Sequence, residues 1–409
     1  MTEPKPPANA AGPAGATKAS PSAATKPVAS GGTSSRRFGW DRGALARRVT
    51  ALPTPVKWLL IALFVVFLYA LPLLEIPIIS TPDTDFGAVL FTVASYVLVA
   101  LGLNIVLGYA GLLDLGYVGF YAVGAYTVAV LGSFQAHLSW WMLIPLAVIF
   151  STISGLLLGA PTLRVRGDYL AIVTLGFGEI IRLTALNTEW LGAAKGITQV
   201  PRPPSVEWFE IPHLQWDGFT AFIDLGDTTK FLFFGVADQA PYYWLALTVI
   251  FLVLGADRML RRSRVGRAWE ATREDEDAAE LMGVPTFRFK LLAFACGAFI
   301  GGLSGALFAS RQGFINPESF QLILSILFVA AVVVGGAGNI YGVTLGAIVV
   351  GYLPERFRGF EEWRLLVFGV ALILLANFRP QGLLPPRRAK RAIAADEQLE
   401  ALEEGTARV

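Results

Sequence analysis

The stretch Gly108–Tyr126, GYAGLLDLGYVGFYAVGAY, constrains this chain more than any other. It is a glycine-rich turn carrying the carboxylate Asp114, set between two apolar segments long enough to be membrane helices. In lipid, an unsatisfied N–H or C=O group costs several kcal/mol, so non-helical backbone at membrane depth must be buried in protein or line a wet cavity. Such a turn is a candidate translocation element rather than an ordinary loop, and it argues for transport.

Composition agrees with a membrane setting. The 409 residues are 54% hydrophobic and only 16% charged, against about 25% charged in a typical soluble domain. The net charge of +2 gives no basis for a nucleic-acid partner. The single cysteine, Cys296, lies in an apolar run, which excludes a disulfide framework and a thiolate metal site. His137 and His213 stand far apart, without HExxH spacing, so neither metal binding nor histidine-based catalysis is supported. No GxxxxGK[ST] and no GxSxG occurs.

Residues 1–56 are rich in Ala, Pro, Gly, Ser and Thr and are expected to be a disordered tail. No apolar h-region follows Met1, so no signal peptide is expected there. Arg36, Arg37, Arg42, Arg47, Arg48 and Lys57 precede the first apolar run and predict a cytoplasmic N-terminus. A span needs about 20 mainly apolar residues. The segments that approach this are Trp58–Leu74, Phe86–Leu107, Val118–Phe134, Trp140–Gly159, Tyr169–Asn187, Tyr242–Leu260, Leu291–Ser310, Phe320–Val334, a short Val343–Leu353, and Trp363–Phe378. The expected fold is an all-α, polytopic integral-membrane bundle of about ten transmembrane segments over residues 57–378.

Charge tests this layout. An even number of spans puts Arg164/Arg166, the segment 261–290 and the tail 379–409 in the cytoplasm, where basic residues gather. Segment 188–240 falls outside and is mostly acidic. Arg356, Arg358 and Arg364 fit less well, in a loop predicted outside. The acidic stretch Asp396–Glu404 reads as a solvated helix. Gly297, Gly301, Gly302 and Gly305 within one span read as small residues for close helix approach. Gly108–Ala125 and Gly335–Gly351 are faintly alike, each with a glycine turn and a following Gly-Ala pair, a weak sign of an internal repeat.

Three motifs carry the functional reading. Around the first turn, Asn104, Asp114 and Tyr117 are candidates for the substrate path, with Thr174 beside them in a later span. A carboxylate near the membrane interior usually faces a cavity or a partner. It also serves as a helix cap for the helix beginning near Leu115, and the two roles can coexist. In Arg164–Arg182, RVRGDYLAIVTLGFGEIIR, Glu179 precedes Arg182 by one helical turn and predicts an ion pair. Ser263–Lys290, SRVGRAWEATREDEDAAELMGVPTFRFK, reads as a cytoplasmic helix from Gly266 to Met282, stopped at Gly283 and Pro285. Its apolar strip of Trp269, Ala278, Leu281 and Met282 suits a groove on a partner; a merely solvated loop is the plainer reading. A membrane chain with such a loop and no P-loop suggests a permease driven by separate subunits.

At these motifs the chain resembles the LivM-type permeases of bacterial branched-chain amino-acid ABC importers. The residues that carry the resemblance are Gly111–Tyr126, Leu163–Leu183, Gly266–Glu276, FASRQGFINPESF (Phe308–Phe320) and FRPQGLLP (Phe378–Pro385), within about Leu90–Pro386. The long Ala/Pro-rich tail departs from the family pattern. The resemblance implies an ABC-importer permease in the bacterial inner membrane, paired with a LivH-type permease, two LivG/LivF-type ATPase subunits and a periplasmic substrate-binding protein. It implies no cofactor in this chain, ATP and Mg being held by the ATPases. It assigns Arg267, Glu270, Arg273, Glu274, Asp277 and Gly283 to the coupling loop. Relatives importing urea, short amides or other amino acids share these features. An ATP-independent channel or ion-coupled carrier lacks the coupling loop, and a membrane enzyme lacks a catalytic constellation here.

Overall fold

The computed structural model describes residues 53–74, 85–134, 137–163, 168–205, 210–217, 220–230, 233–235 and 238–356, with scattered positions between 366 and 384. Most of the expected tail 1–56 lies outside these residues, as do Arg164/Arg166, most of Trp363–Phe378, and the acidic C-terminal stretch. The chain divides into two units, Met1–Ala62 and Leu63–Val409. In the first, the described residues open a helix, α1 (Thr54–Leu74), that continues into the second. It starts ahead of the expected boundary because Pro55 fits the first turn, where its missing N–H has no partner to lose.

The second unit is helical. α2 (Phe86–Leu103) runs on into a π-turn, Asn104–Tyr109. α3 (Val118–Ala129) ends in a second π-turn, Val130–Phe134. α4 (Trp140–Thr162) and α5 (Asp168–Asn187) follow, then α6 (Ala240–Arg262). Two short helices, α7 (Arg264–Glu274) and α8 (Glu276–Leu281), lead into α9 (Thr286–Gln312). α10 (Leu322–Gly335) and α11 (Ile340–Arg356) complete the series. Among the described residues seven helices are long and apolar enough to cross a bilayer, which makes this an all-α, multi-pass membrane protein. α10 reaches that length only with the turn Pro317–Phe320 before it, and α3 and α11 are too short.

The region between α5 and α6 is not featureless. β1 (Ile197–Thr198) pairs antiparallel with β4 (Phe314–Ile315), and β2 (Glu210–Asp217) pairs with β3 (Thr220–Lys230), with a register shift at Pro212/His213. The β1–β4 pair gathers one end of the bundle, where Asp85 caps α2 and the Trp140 indole donates to Ser310 Oγ at 3.0 Å. The α7–α8 segment lies at the other end.

α2 and α9 form the centre: 89% of the α2 span and 67% of the α9 span is buried in the protein. Hydrophobic burial does not separate protein from lipid tails, so helices associate by close contact of small residues and by hydrogen bonds. α9 supplies both. Gly302 meets Gly124 of α3, and Gly305 lies against the Tyr121 carbonyl. Ser151 Oγ of α4 stands 2.8 Å from the Ala298 carbonyl and 3.0 Å from that of Phe120, joining three helices.

α1 shows the same requirement at a proline. Pro72 has no N–H for the Leu68 carbonyl one turn back. The Tyr243 hydroxyl of α6 donates to that carbonyl at 3.0 Å, and the Trp244 indole donates to the next, Tyr69, at 2.8 Å. The expected pair on α5 is formed: Arg182 Nε donates to both Glu179 oxygens, at 3.0 and 3.1 Å.

Gly305→Ala should destabilise the bundle by about 1–3 kcal/mol, because the added methyl enters the Tyr121 backbone. Thermal unfolding in detergent checks this. Gly176→Ala is the control: its Cβ would meet nothing within 4 Å, and its unfolding temperature should hold or rise slightly.

Candidate translocation and coupling site

The segment from Ala110 to Tyr117 turns back into the bundle as irregular chain. Its depth follows from its partners. The Leu115 N–H donates to Thr174 Oγ1 at 3.1 Å, about 9 Å along α5 from its start at the coupling end. The Leu115 carbonyl accepts from Ser325 Oγ at 2.5 Å, about 15 Å short of the coupling end of α10. Leu115 therefore lies inside the bundle, about 9–15 Å from the coupling end, and α3 starts three residues later. This is why α3 can be short and still reach the far end.

The irregular backbone is buried and largely satisfied. The Gly116 N–H donates to Asp114 Oδ1 at 2.9 Å, and the Gly116 carbonyl accepts from the Gly119 N–H at 2.8 Å. Gly116 is required for closeness, since a Cβ there would occupy the Thr174 carbonyl. Asp114 thus closes a turn two residues ahead of the helix, which begins at Val118 rather than near Leu115. Its Oδ2 makes no hydrogen bond of ordinary geometry among the described residues, although the Thr174 side chain lies beside it.

The four path candidates are all closed from solvent, and Asp114 lies beside Thr174 and Tyr117 whereas Asn104 faces the Gly336–Asn339 turn. Asn104, Asp114, Tyr117 and Thr174 each have 0% exposure. Thr174 holds Leu115, as above. The Tyr117 hydroxyl crosses to α9 and donates to the Gly297 carbonyl at 2.7 Å, lying over Gly102 of α2. Asn104 Oδ1 accepts from the Gly338 N–H at 2.8 Å. That bond joins the two glycine turns whose likeness suggested a repeat: the end of α2 touches the turn Gly336–Asn339 between α10 and α11.

The FRPQGLLP motif finishes this second turn. The Leu383 N–H donates to the Val334 carbonyl at 2.8 Å, and the Leu384 N–H to that of Gly335 at 3.2 Å. Both carbonyls end α10 and have no partner within the helix. Asn339 Nδ2 donates to the Leu384 carbonyl at 2.9 Å.

The loop after α6 forms two helices, not one from Gly266 to Met282. Ser263 caps α7, accepting from Val265 N–H at 3.1 Å, and Asp275 in an extended conformation caps α8, accepting from Ala278 N–H at 3.0 Å. An Asp that can cap outcompetes a continuous helix at this point. α8 stops as expected at Gly283, which has φ +85° and whose N–H bonds back to the Glu280 carbonyl. The expected apolar strip splits. Trp269 is wholly buried, its indole donating to the Phe289 carbonyl at 2.6 Å, whereas Leu281 and Met282 are 89% and 85% exposed. Lys290 pairs with Glu276, and Thr286 Oγ1 donates to Glu280 at 3.0 Å, tying α8 to the start of α9. Arg267 donates to the Arg262 carbonyl at 3.2 Å. Glu270, Glu274 and Asp277 are on the exposed side. Arg273 is exposed as well, yet its guanidinium donates to the Gly108 carbonyl.

A further pair was not evident from sequence. Tyr109, the last residue of the π-turn, donates to Asp257 Oδ2 of α6 at 3.1 Å, and the Arg261 guanidinium lies 5.3 Å above its ring. Asp257 is 4% exposed. The available signal was a lone acid in an apolar helix, overshadowed by the arginines that follow it.

Residues 86–376 match the family described as "Branched-chain amino acid transport system / permease component". The chain belongs to this family. Within it, the chain is 44% identical over 301 residues to the Salmonella typhimurium protein named high-affinity branched-chain amino acid transport system permease protein LivM, covering 72% of this chain and 68% of the relative. The Escherichia coli protein of the same name is 44% identical over 298 residues, with the same coverage. The E. coli permease protein LivH is 25% identical over 301 residues, covering 71% of this chain and 91% of its own. The chain is thus similar to two differently named permease proteins, LivM and LivH. No solved structure matches the chain.

Thr174→Val removes the acceptor for the buried Leu115 N–H and should cost about 1–3 kcal/mol of stability. Thr174→Ser, which keeps the oxygen, should cost less. Thermal unfolding of the two variants side by side checks the ranking.

Proposed function

We propose that this chain is a permease subunit of an ATP-binding-cassette importer that moves leucine, isoleucine and valine across the bacterial inner membrane. The observation that carries this is the α7–α8 segment, a capped pair of charged helices held beneath the re-entrant turn, in a chain that has no nucleotide-binding loop. A segment so placed receives work done elsewhere. The printed names of the LivM relatives supply the cargo.

The working unit pairs this chain with a LivH-type permease. Two LivG/LivF-type ATPases bind ATP and Mg below, and a periplasmic binding protein delivers substrate. The membrane domain has about ten segments, with both termini and the 261–290 loop in the cytoplasm and 188–240 outside; 1–56 and 379–409 are cytoplasmic tails. Glu270, Glu274 and Asp277 face the ATPase, with exposed Leu281 and Met282 beside them. Closure of the ATPases moves α7–α8, and the spans open toward the loaded binding protein; release of nucleotide products resets them. Such a shift requires ligands with different affinity for the two states, here ATP and the docked binding protein. A pocket separates one methylene by only about 1–3 kcal/mol, so the binding protein sets most of the specificity. Asn104, Asp114, Tyr117 and Thr174 line the path when the bundle opens.

Leucine uptake into proteoliposomes containing this chain, its sibling and the ATPases should need both external binding protein and internal ATP. Glu274→Ala with Asp277→Ala should abolish it while the membrane subunits stay assembled. Uptake without ATP would favour a carrier. ATP-driven urea or amide uptake with a different binding protein, and none of leucine, would change the cargo. Asp114→Asn keeps the acceptor for Gly116 but loses the charge, and should lower uptake with assembly intact. Normal uptake by that variant would remove Asp114 from the path.

A further inference from the structure

The π-turn Asn104–Tyr109 ends α2 at the coupling end, and three chain segments converge on it through one side chain. Arg273, in the last turn of α7, donates to the Gly108 carbonyl. That carbonyl is one of the last four of its helix and has no intrahelical acceptor role to fill. Glycines flank the arginine on the other two segments. A Cβ on Gly338 would come within 2.9 Å of Arg273 Nη1 and 3.1 Å of the Gly108 oxygen, and one on Gly111 within 2.8 Å of Arg273 Cγ. Gly338 is also the residue whose N–H is held by Asn104.

Beside each end of the same π-turn lies a buried polar atom with no hydrogen-bond partner among the described residues. At one end it is Asn104 Nδ2, the amide being oriented by the bond from Gly338 N–H to Oδ1. At the other it is Oδ1 of Asp257 on α6, whose Oδ2 accepts from Tyr109. Buried orphans are few in native proteins. Two of them lie beside this one irregular turn. A π-turn holds one residue more than an α-turn. Converting it would move Gly108 and Tyr109 by about 1.5 Å along the axis and about 100° around it, which changes the neighbours of both orphans.

We propose that Arg273 is the positioning residue through which the coupling loop moves the interrupted helices, acting on the Gly108 carbonyl and the Gly336–Asn339 turn, with the π-turn as the element that changes register. This rests on the importer reading above. Arg273 thus links the exposed side of the coupling loop to the end of α2.

The test is the ratio of leucine imported to ATP hydrolysed by the complete complex in proteoliposomes with binding protein. Arg273→Ala should lower this ratio at least ten-fold, and Arg273→Lys should recover part of it. Gly338→Ala, which crowds the guanidinium without touching the ATPase-facing side, should lower it as well. The double variant should be no worse than the worse single one, as expected for residues acting as one unit. A wild-type ratio in Arg273→Ala, or losses that multiply in the double variant, would overturn the proposal. So would failure of both single variants to assemble, since that marks a purely structural role. A wild-type complex without ATP-dependent uptake would instead remove the importer reading, and this proposal with it.

Discussion

Every main-chain N–H and C=O that leaves regular helix inside the bilayer must find a partner within the protein. The structure is organised around the places where this requirement is hardest to meet. At Pro72 the freed Leu68 carbonyl is taken by Tyr243. At Leu115, deep in the bundle, both backbone groups are taken by side chains from α5 and α10. At the end of α10, Val334 and Gly335 are taken by main chain from the C-terminal motif. Each solution pins a distant element, so the exceptions to helical regularity also hold the tertiary structure together.

The contrast between α9 and the end of α2 separates a rigid part from an adjustable one. α9 meets its neighbours through glycines with no space left and hydroxyls with their bonds made. Interfaces of that kind tolerate little sliding. The π-turn beside it has a wider hydrogen-bonded turn, two flanking buried polar atoms without a partner among the described residues, and the Arg273 guanidinium at its end. Motion is cheapest where bonds are already missing.

Much of this was legible in the sequence because membrane helices are written in long apolar runs. The spans from Phe86 to Gly335, the Glu179–Arg182 pair and the stop at Gly283 follow from length, helical spacing and glycine conformation. The irregular chain at Ala110–Tyr117 was recognisable within the glycine-rich stretch for the same reason, although Gly108 and Tyr109 belong to the π-turn before it. What escaped was pairwise. Nothing local shows that Asn104 will meet Gly338, separated by 234 positions, or that Tyr109 will meet Asp257. The inward turn of Trp269 was missed because a helical strip read from one segment cannot tell which members face the segment's own bundle. The break at Asp275 was hidden by the good helix formers on both sides of it, which outweighed a single capping residue. The four path candidates were chosen for polarity in an apolar setting, and polarity there marks structural hydrogen bonding as readily as contact with cargo.

The clamp of Leu383 and Leu384 on the end of α10 has a consequence for how the chain is made. The Asn339 side chain waits for a carbonyl 45 residues further on. At about 5–20 residues per second this interval lasts some seconds, during which α10 and α11 exist with an unfinished joint. The hairpin that meets α2 is therefore completed only after Leu384 has been made. A nascent product cut short before Leu383 therefore leaves the Val334 and Gly335 carbonyls without these donors, at the place where the two glycine turns meet.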